Sequence, residues 1–243
     1  MKIISWFSCG CSSFLATYIE RKRIDEIIYT HVENQHPDSL RFLHDCETLL
    51  GRQITILQSE YYRDIYDVFR ARRFISSPKG APCTMIMKKQ VRKKWEYEHP
   101  DDYTYIWGFD YNEKDRADRL FETMPNVQHL FPLIENHITK NDVHGICKEL
   151  GLKRPVMYDM GYNNNNCVGC VKGGMGYWNK IRIDFPDVFL KMAKLERELN
   201  CTCIKGIYLD ELDPERGRQQ KIIMPDCDIF CEMAVDNMRG ETL

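Results

Sequence analysis

The first 57 residues alternate between apolar runs typical of strands and patterns typical of helices, and this alternation constrains the fold more than any other feature. We expect three strands, at Lys2–Phe7, Ile24–His31 and Gln53–Leu57. Helical patterns follow the first two strands, one starting at Phe14 and one running from residue 36 to residue 50, with Gly51 at its end. The order β-α-β-α-β predicts an α/β fold with a doubly wound, mostly parallel sheet.

The loop between the first strand and the first helix, called here the small-residue loop, consists of Ser8, Cys9, Gly10, Cys11, Ser12 and Ser13. The free N–H groups of a first helical turn and the positive end of the helix dipole attract anions. Small side chains let the backbone approach phosphate closely. In doubly wound sheets, ligands bind beyond the carboxyl ends of the strands, where this loop is expected to lie. The sequence therefore predicts a phosphate site here, with an ordinary turn capped by a serine as the alternative.

Composition narrows the class of protein. The chain has 243 residues, enough for one α/β domain with an appended C-terminal part. Its net charge of −2 gives no global basic signature for nucleic acid. No apolar run reaches the length of about 18 residues that a membrane span needs. The N-terminal residues lack the pattern of a secretory signal peptide, so we expect a cytoplasmic protein without a membrane partner.

Further elements are predicted downstream. They are a basic helix from Thr84 to Trp95, a strand at Tyr103–Phe109, a short extended segment at Phe131–Ile134, and helices at Thr139–Leu150 and Pro186–Leu199. The basic helix carries Lys88 and Lys89, and its default interpretation is a solvated surface. A loop rich in asparagine, cysteine and glycine is expected from Asn163 to Gly176.

The chain contains eleven cysteines, a high and odd number. In a reducing compartment, clustered cysteines favour metal or redox chemistry over disulfides. Cys167 and Cys170 form a C-x-x-C motif, a spacing that lets two thiolates bind one metal or cluster. Cys227 and Cys231 are candidates to complete a closed zinc site with them. Cysteines on predicted helices are interpreted as small buried hydrophobic residues.

Four segments, in order, resemble the sulfonucleotide (PAPS and APS) reductases of the adenine nucleotide alpha-hydrolase, or PP-loop, superfamily. The small-residue loop resembles the S-G-G-x-D-S pyrophosphate loop, and residues 33–39 resemble the stretch that ends in F-P-E-T. Gly108 with Glu113 and Arg116 loosely resembles the G-x-R-x-x-Q-S segment, and residues 152–170 resemble the substrate-side segment of the reductases. The chain also resembles uncharacterised PAPS-reductase-like proteins, many carried by phages. Cys9, Ser12 and Asp110 stand where the family has glycine, aspartate and arginine, which indicates a divergent branch.

The resemblance implies a nucleotide-binding PP-loop domain over residues 1–162, with a cysteine-rich loop, helix and tail over residues 163–243. It implies that ATP or a sulfonucleotide binds at Ser8, Cys9, Gly10, Cys11, Ser12, Ser13, Glu33, Lys88, Gly108 and Arg116. A 4Fe–4S iron–sulfur cluster, with zinc as the alternative, is then expected on Cys83, Cys167 and Cys170. Cys227 matches the position of the reductases' catalytic thiol.

Two functions follow from these patterns. One is a PAPS reductase-like enzyme that performs sulfur or redox chemistry, or ATP-dependent adenylylation and thiolation. Such an enzyme would use a thiol or thioredoxin-like electron donor, or would act on a nucleic-acid or tRNA acceptor, and a homodimer is compatible with it. The other is a catalytically inactive protein that binds or senses a nucleotide and holds a structural zinc ion, because Ser12 replaces the loop aspartate.

Overall fold

The computed structural model describes residues 1–76 and 80–218. Within these ranges, five parallel strands form one sheet of order β3-β2-β1-β4-β5. The strands are β1 (Lys2–Phe7), β2 (Glu26–Thr30), β3 (Thr55–Leu57), β4 (Tyr103–Ile106) and β5 (Gln128–Leu130). In the register, Ser5 of β1 lies opposite Ile27 of β2 on one side and Ile106 of β4 on the other. The predicted α/β fold with a parallel sheet is confirmed.

Helices connect the strands and extend the chain beyond β5. They are α1 (Cys11–Glu20), α2 (Asp38–Leu50), α3 (Ile65–Arg72), α4 (Pro82–Thr84), α5 (Val91–Glu98), α6 (Lys114–Thr123), α7 (Pro132–Glu135), α8 (Lys140–Glu149), α9 (Val156–Asp159), α10 (Met175–Asp184) and α11 (Pro186–Leu199). Gly51 ends α2 in a left-handed conformation with φ of 64°, as the sequence predicts. Across residues 1–76 and 80–218, none of the helices combines the length and hydrophobicity that a membrane crossing requires.

Alternating strand residues place helices on both faces of the sheet. Ile27 and Tyr29 of β2 pack into one core with α1, α2 and α8, whereas Ile28 packs on the opposite face with Trp95 of α5. This alternation follows from the two-residue period of a strand, and it is the packing that a doubly wound sheet requires. A further core joins α3 to α10 and α11, and its largest buried side chain is Trp178.

The structure corrects two local expectations. The extended segment expected at residues 131–134 is instead the short helix α7, in which Pro132 occupies the first turn, where its missing N–H costs nothing. The predicted basic helix is helical throughout, but it is not a uniform α-helix, because a π-helical turn at Met85–Gln90 lies between α4 and α5. Such turns are rare and often occur at functional sites. This one carries Lys88, one of the predicted nucleotide-binding residues.

A network around Asp38 ties the start of α2 to the segment before α9. The carboxylate of Asp38 accepts hydrogen bonds from the Arg41 guanidinium at 2.9 and 2.7 Å and from the backbone N–H of Val156 at 2.8 Å. Arg41 also donates to the backbone carbonyls of Lys153 and Arg154 at 2.7 and 3.1 Å. The hydrogen bond from Arg41 is the main cause of the lowered pKa of Asp38.

We expect Asp38→Asn to lower the free energy of unfolding by about 1–2 kcal/mol at neutral pH. Because the folded pKa of Asp38 lies below the unfolded value, its stabilising charge is fully present above the unfolded pKa and is lost as the pH falls through the folded pKa. Urea unfolding at pH 7 and at about pH 3 should therefore show a difference between wild type and variant that shrinks in acid. Glu122→Gln, on the exposed side of α6, is the control. A difference that stays constant across this range would contradict the explanation.

Candidate functional site

A cleft of about 470 Å³ lies at the carboxyl edge of the sheet. Its floor is formed where β1 and β4 end, by Ser8 and Gly10 on one side and Trp107 and Gly108 on the other. The strand order reverses between β1 and β4, which is the position where doubly wound sheets bind ligands. The volume suits a ligand of nucleotide size.

The small-residue loop presents backbone N–H groups to this cleft. α1 begins at Cys11, and its N-cap residue Gly10 is extended and makes no side-chain capping bond. The N–H groups of the first turn are therefore not satisfied inside the helix or by its cap, although the backbone of Cys11 has a hydrogen bond to the Tyr158 hydroxyl. The Ser13 hydroxyl accepts a hydrogen bond from the backbone N–H of Ser8 at 2.8 Å, which closes the loop. The arrangement matches an anion-binding helix N-terminus.

Cys9 adopts a left-handed backbone with φ of 62°, a conformation that normally favours glycine. Its thiol donates a hydrogen bond to the backbone carbonyl of Ser39 at 3.0 Å, and its own carbonyl accepts one from the Asn165 amide at 2.7 Å. These contacts compensate for the strain of a side chain at this position. The backbone thus keeps the shape of a glycine loop although the residue is cysteine.

Gly108 presses directly against the small-residue loop. A Cβ atom at this position would lie 2.5 Å from Ser13 Cα and 2.6 Å from Ser13 N. Both contacts involve backbone atoms, which cannot rotate away as a side chain does. Only glycine therefore permits the observed packing between the end of β4 and the start of α1.

Four cationic side chains line the cleft: Lys88, Arg116, Lys140 and Lys172. The Arg116 guanidinium forms an ion pair with Glu113 and lies 4.3 Å from the centre of the Phe109 ring. Lys140 donates a hydrogen bond to Asn164 Oδ1 at 2.6 Å. Burial lowers the pKa of Lys140, against the opposing effect of Asp110 and Glu113. An anion bound in the cleft would offset this loss of hydration.

Another wall of the cleft is apolar and includes Trp6, Val32, Ile65, Met87 and Trp107. One polar atom among the cleft residues, Asn165 Oδ1, is buried without a hydrogen-bond partner within the described parts of the chain. Buried polar groups without partners are rare, and they indicate where a ligand can supply the missing bond. The cleft thus offers a cationic side, an apolar side and a residue, Asn165, with an unpaired buried acceptor.

Cys83, Cys167 and Cys170, called here the cysteine site, line the same cleft. The Tyr177 hydroxyl holds the C-x-x-C loop by accepting from the backbone N–H of Cys170 at 2.8 Å and donating to the carbonyl of Cys167 at 3.3 Å. Gly169 supplies the left-handed residue that the turn needs, with φ of 77°. A second cavity of about 290 Å³ adjoins the site and is lined by both cysteines of the motif.

The pKa values of two thiols of the cysteine site, Cys83 and Cys167, are raised. Burial raises the pKa of Cys167 to about 11, although Lys88 lowers it, and Cys170 and Cys83 contribute to the rise. Burial also raises the pKa of Cys83, with a further contribution from Cys170. Metal uptake at this site must therefore displace protons.

The donor groups of the cysteine site are thiols. Among residues 1–76 and 80–218, no three His, Cys, Asp or Glu side chains are arranged to hold a single metal ion. An iron–sulfur cluster instead takes thiolates on different irons, so its ligands can stand farther apart than those of zinc. Soft thiolates are the ligands that such clusters use.

The structure brings most of the predicted site residues together. The members that line the cleft are Ser8, Gly10, Ser12, Ser13, Lys88, Gly108, Arg116, Cys83, Cys167 and Cys170. Cys9 and Cys11 are fully buried members of the loop and do not line the cleft. Glu33 is exposed and is not among the cleft residues, whereas its neighbour Val32 is. Cys227 and Cys231 lie outside the described residues.

Several cleft residues were not identified from the sequence. Lys140 is the first residue of α8, which follows a capping box between Thr139 and Asp142. The capping box is visible in the sequence, but nothing there shows that this helix start faces the small-residue loop. A lysine in a first helical turn opposes the helix dipole, and this unfavourable placement is the one local signal of a function. Lys172, Trp6 and Trp107 carry no comparable signal.

A second group of thiols lies beneath the small-residue loop. Cys46 and Cys147 are fully buried, as their positions on helices predict. Burial disfavours ionisation of Cys11, but the neighbouring thiol of Cys147 and imidazole of His144 outweigh it and lower the pKa of Cys11. The pKa of Cys147 is raised in turn, since the two thiols form a coupled pair. None of these residues lines the cleft.

No protein-family model and no curated protein sequence matches this chain. The functional interpretation therefore depends on the residues and geometry of the cleft.

Proposed function

We propose that the chain is a PAPS reductase-like enzyme that binds an adenine nucleotide, either ATP or a sulfonucleotide, beside a cysteine-ligated iron–sulfur cluster. The observation that carries this proposal is that the small-residue loop and the cysteine site line one cleft. A nucleotide whose phosphates meet the loop would place its reacting end within the same enclosure as the thiols. The reaction class is sulfur or redox chemistry, or adenylylation followed by thiolation.

The cationic side of the cleft is suited to the phosphates of the nucleotide. The first-turn N–H groups of α1 would donate to phosphate oxygens, with Lys140 and Arg116 supplying charge. The apolar wall would receive the adenine ring, because Trp6 and Trp107 offer aromatic surface. Asn165 Oδ1 would accept a hydrogen bond from a ligand donor.

Cys83, Cys167 and Cys170 would hold the cluster, and their thiol chemistry fits that role. When bound, the cluster would supply electrons or an iron site for a sulfur atom. Lys88 interacts electrostatically with Cys167 and also lines the cleft, so it would neutralise charge on both the thiolates and the nucleotide. A thiol or thioredoxin-like donor would restore the electrons in a reductase, and a nucleic acid such as tRNA would be the acceptor in a thiolating enzyme.

We expect Lys140→Met to weaken nucleotide binding about 10- to 100-fold, equivalent to about 1.4–2.7 kcal/mol. Methionine keeps the length of the side chain but removes the cation that faces the cleft. Calorimetric titration with ATP, APS and PAPS measures the effect. Lys114→Met is the matched control, since Lys114 lies 4.0 Å from the centre of the Tyr111 ring and is not among the cleft residues. Equal losses of affinity in both variants would show that the net charge of the protein, and not Lys140 itself, determines nucleotide binding.

Metal content together with product release tests the proposed function. Anaerobically purified protein should contain iron and acid-labile sulfide, and turnover should release sulfite from a sulfonucleotide or pyrophosphate from ATP. Zinc without turnover would instead support a nucleotide-binding or sensing protein with a structural metal.

A further inference from the structure

We propose that Asn165 recognises a ribose hydroxyl of the bound nucleotide through its side-chain carbonyl oxygen, Oδ1. This inference deepens the proposed function and rests on it. Asn165 lies just before the C-x-x-C motif and is among the cleft residues, yet it is only 5% exposed. Its Oδ1 has no hydrogen-bond partner within residues 1–76 and 80–218. A buried acceptor without a partner is rare in proteins and indicates where a ligand can donate.

The orientation of the Asn165 carboxamide is fixed by the chemistry of its neighbours. Its Nδ2 group donates to the backbone carbonyl of Cys9 at 2.7 Å and to the Ser39 hydroxyl at 3.0 Å. A backbone carbonyl only accepts hydrogen bonds, so exchanging Oδ1 and Nδ2 would set two acceptors against each other. Both N–H bonds of the amide are therefore used within the protein, and Oδ1 is the atom that remains for a ligand.

The backbone around Asn165 is held on both sides. The Tyr158 hydroxyl is hydrogen-bonded to the backbone of Asn165 and to that of Cys11. Three residues after Asn165, the backbone N–H of Val168 donates to the carbonyl of Asn34 at 2.8 Å. Because these bonds exist before any ligand enters, Oδ1 is preorganised in the way that a specific binding site requires.

The phosphates of a nucleotide are not suited to satisfy Oδ1, since ionised phosphate oxygens accept hydrogen bonds and do not donate them. The remaining donors of an adenine nucleotide are its ribose hydroxyls and the amino group of the base. Asn165 is bonded to Cys9, which directly precedes Gly10 at the start of the proposed phosphate site. The ribose is joined directly to the phosphate chain, whereas the amino group lies at the far end of the base. A ribose hydroxyl therefore fits the position of Asn165.

Calorimetric titration of the full chain with nucleotide analogues tests the assignment. The ligands are ATP, 2′-deoxy-ATP, 3′-deoxy-ATP and purine ribonucleoside triphosphate, which lacks the amino group, with a parallel series built on APS. One of the two deoxy analogues should bind wild type about 10- to 100-fold more weakly than the parent nucleotide, because Oδ1 loses its donor. In Asn165→Ala, this ratio of affinities should fall to about one. The ratio for the analogue without the amino group should be the same in both proteins.

Asn126→Ala is the matched control, because Asn126 is exposed and is not among the cleft residues. It should keep the wild-type ratios. Equal weakening of the parent nucleotide and both deoxy analogues in Asn165→Ala would indicate a merely structural role and would overturn the inference. Equal affinity of wild type for the parent nucleotide and both deoxy analogues, as expected if water satisfies Oδ1, would also overturn it and would leave the proposed function intact. No binding of ATP or APS would overturn the inference, and no binding of PAPS in addition would overturn the proposed function as well.

Discussion

Gly108→Ala is expected to reduce affinity for the adenine nucleotide at least about 100-fold, equivalent to about 2.7 kcal/mol. The added Cβ would lie 2.5 Å from Ser13 Cα and 2.9 Å from the Ser12 carbonyl carbon, so the start of α1 must move away from β4. Such a shift displaces the N–H groups that face the cleft. Overpacking of this kind also costs about 1–3 kcal/mol of stability. Calorimetry and thermal unfolding separate the two effects.

Gly174→Ala is the matched control for this change. A Cβ at Gly174 meets no atom within 4 Å, and its backbone has φ of −83°, which any residue adopts. This variant should bind nucleotide like wild type. If Gly108→Ala remains folded and binds ATP, APS and PAPS with wild-type affinity, the small-residue loop is not the phosphate site.

Cys170→Ser is expected to remove nearly all iron and sulfide from the purified protein. Cys170 and Cys167 are held as a pair by Tyr177, and loss of one thiolate leaves a site with too few soft ligands. The visible absorbance of the cluster and the iron content measure the effect. Circular dichroism should show a folded chain, because the affected loop lies outside the sheet.

Tyr177→Phe refines this second prediction. The phenylalanine ring keeps the packing but loses both hydrogen bonds to the C-x-x-C loop. We expect normal iron content with faster loss of iron to a chelator, since the ligands remain but are less firmly oriented. If Cys170→Ser retains its iron and sulfide, Cys170 is not a ligand and the cysteine site must be redefined.

The sheet and the small-residue loop could be predicted from the sequence because the patterns that indicate them are local. Strand and helix patterns alternate along the first 57 residues, and the loop is a continuous run of small residues. Gly51 likewise ends α2 through its own left-handed conformation. The carboxyl ends of parallel strands meet at one edge, so the place of the loop in the fold followed from topology alone.

Residues that reach the cleft from distant elements could not be predicted from the sequence in this way. Lys140 faces the small-residue loop because α8 packs against α1, a contact that no local pattern encodes. Glu33 is exposed, whereas its neighbour Val32 lines the cleft. Whether a residue lines the cleft depends on the direction of its side chain, which differs between neighbouring residues.

The central claim is that an adenine nucleotide binds in the cleft beside the cysteine site. Calorimetric titration of anaerobically purified, iron-loaded protein with ATP, APS and PAPS tests it most directly. We predict that at least one of the three binds once per chain with a Kd in roughly the micromolar range, and that Gly108→Ala abolishes the heat of binding while Gly174→Ala preserves it. No binding of any of the three nucleotides at concentrations up to about 1 mM would contradict the account.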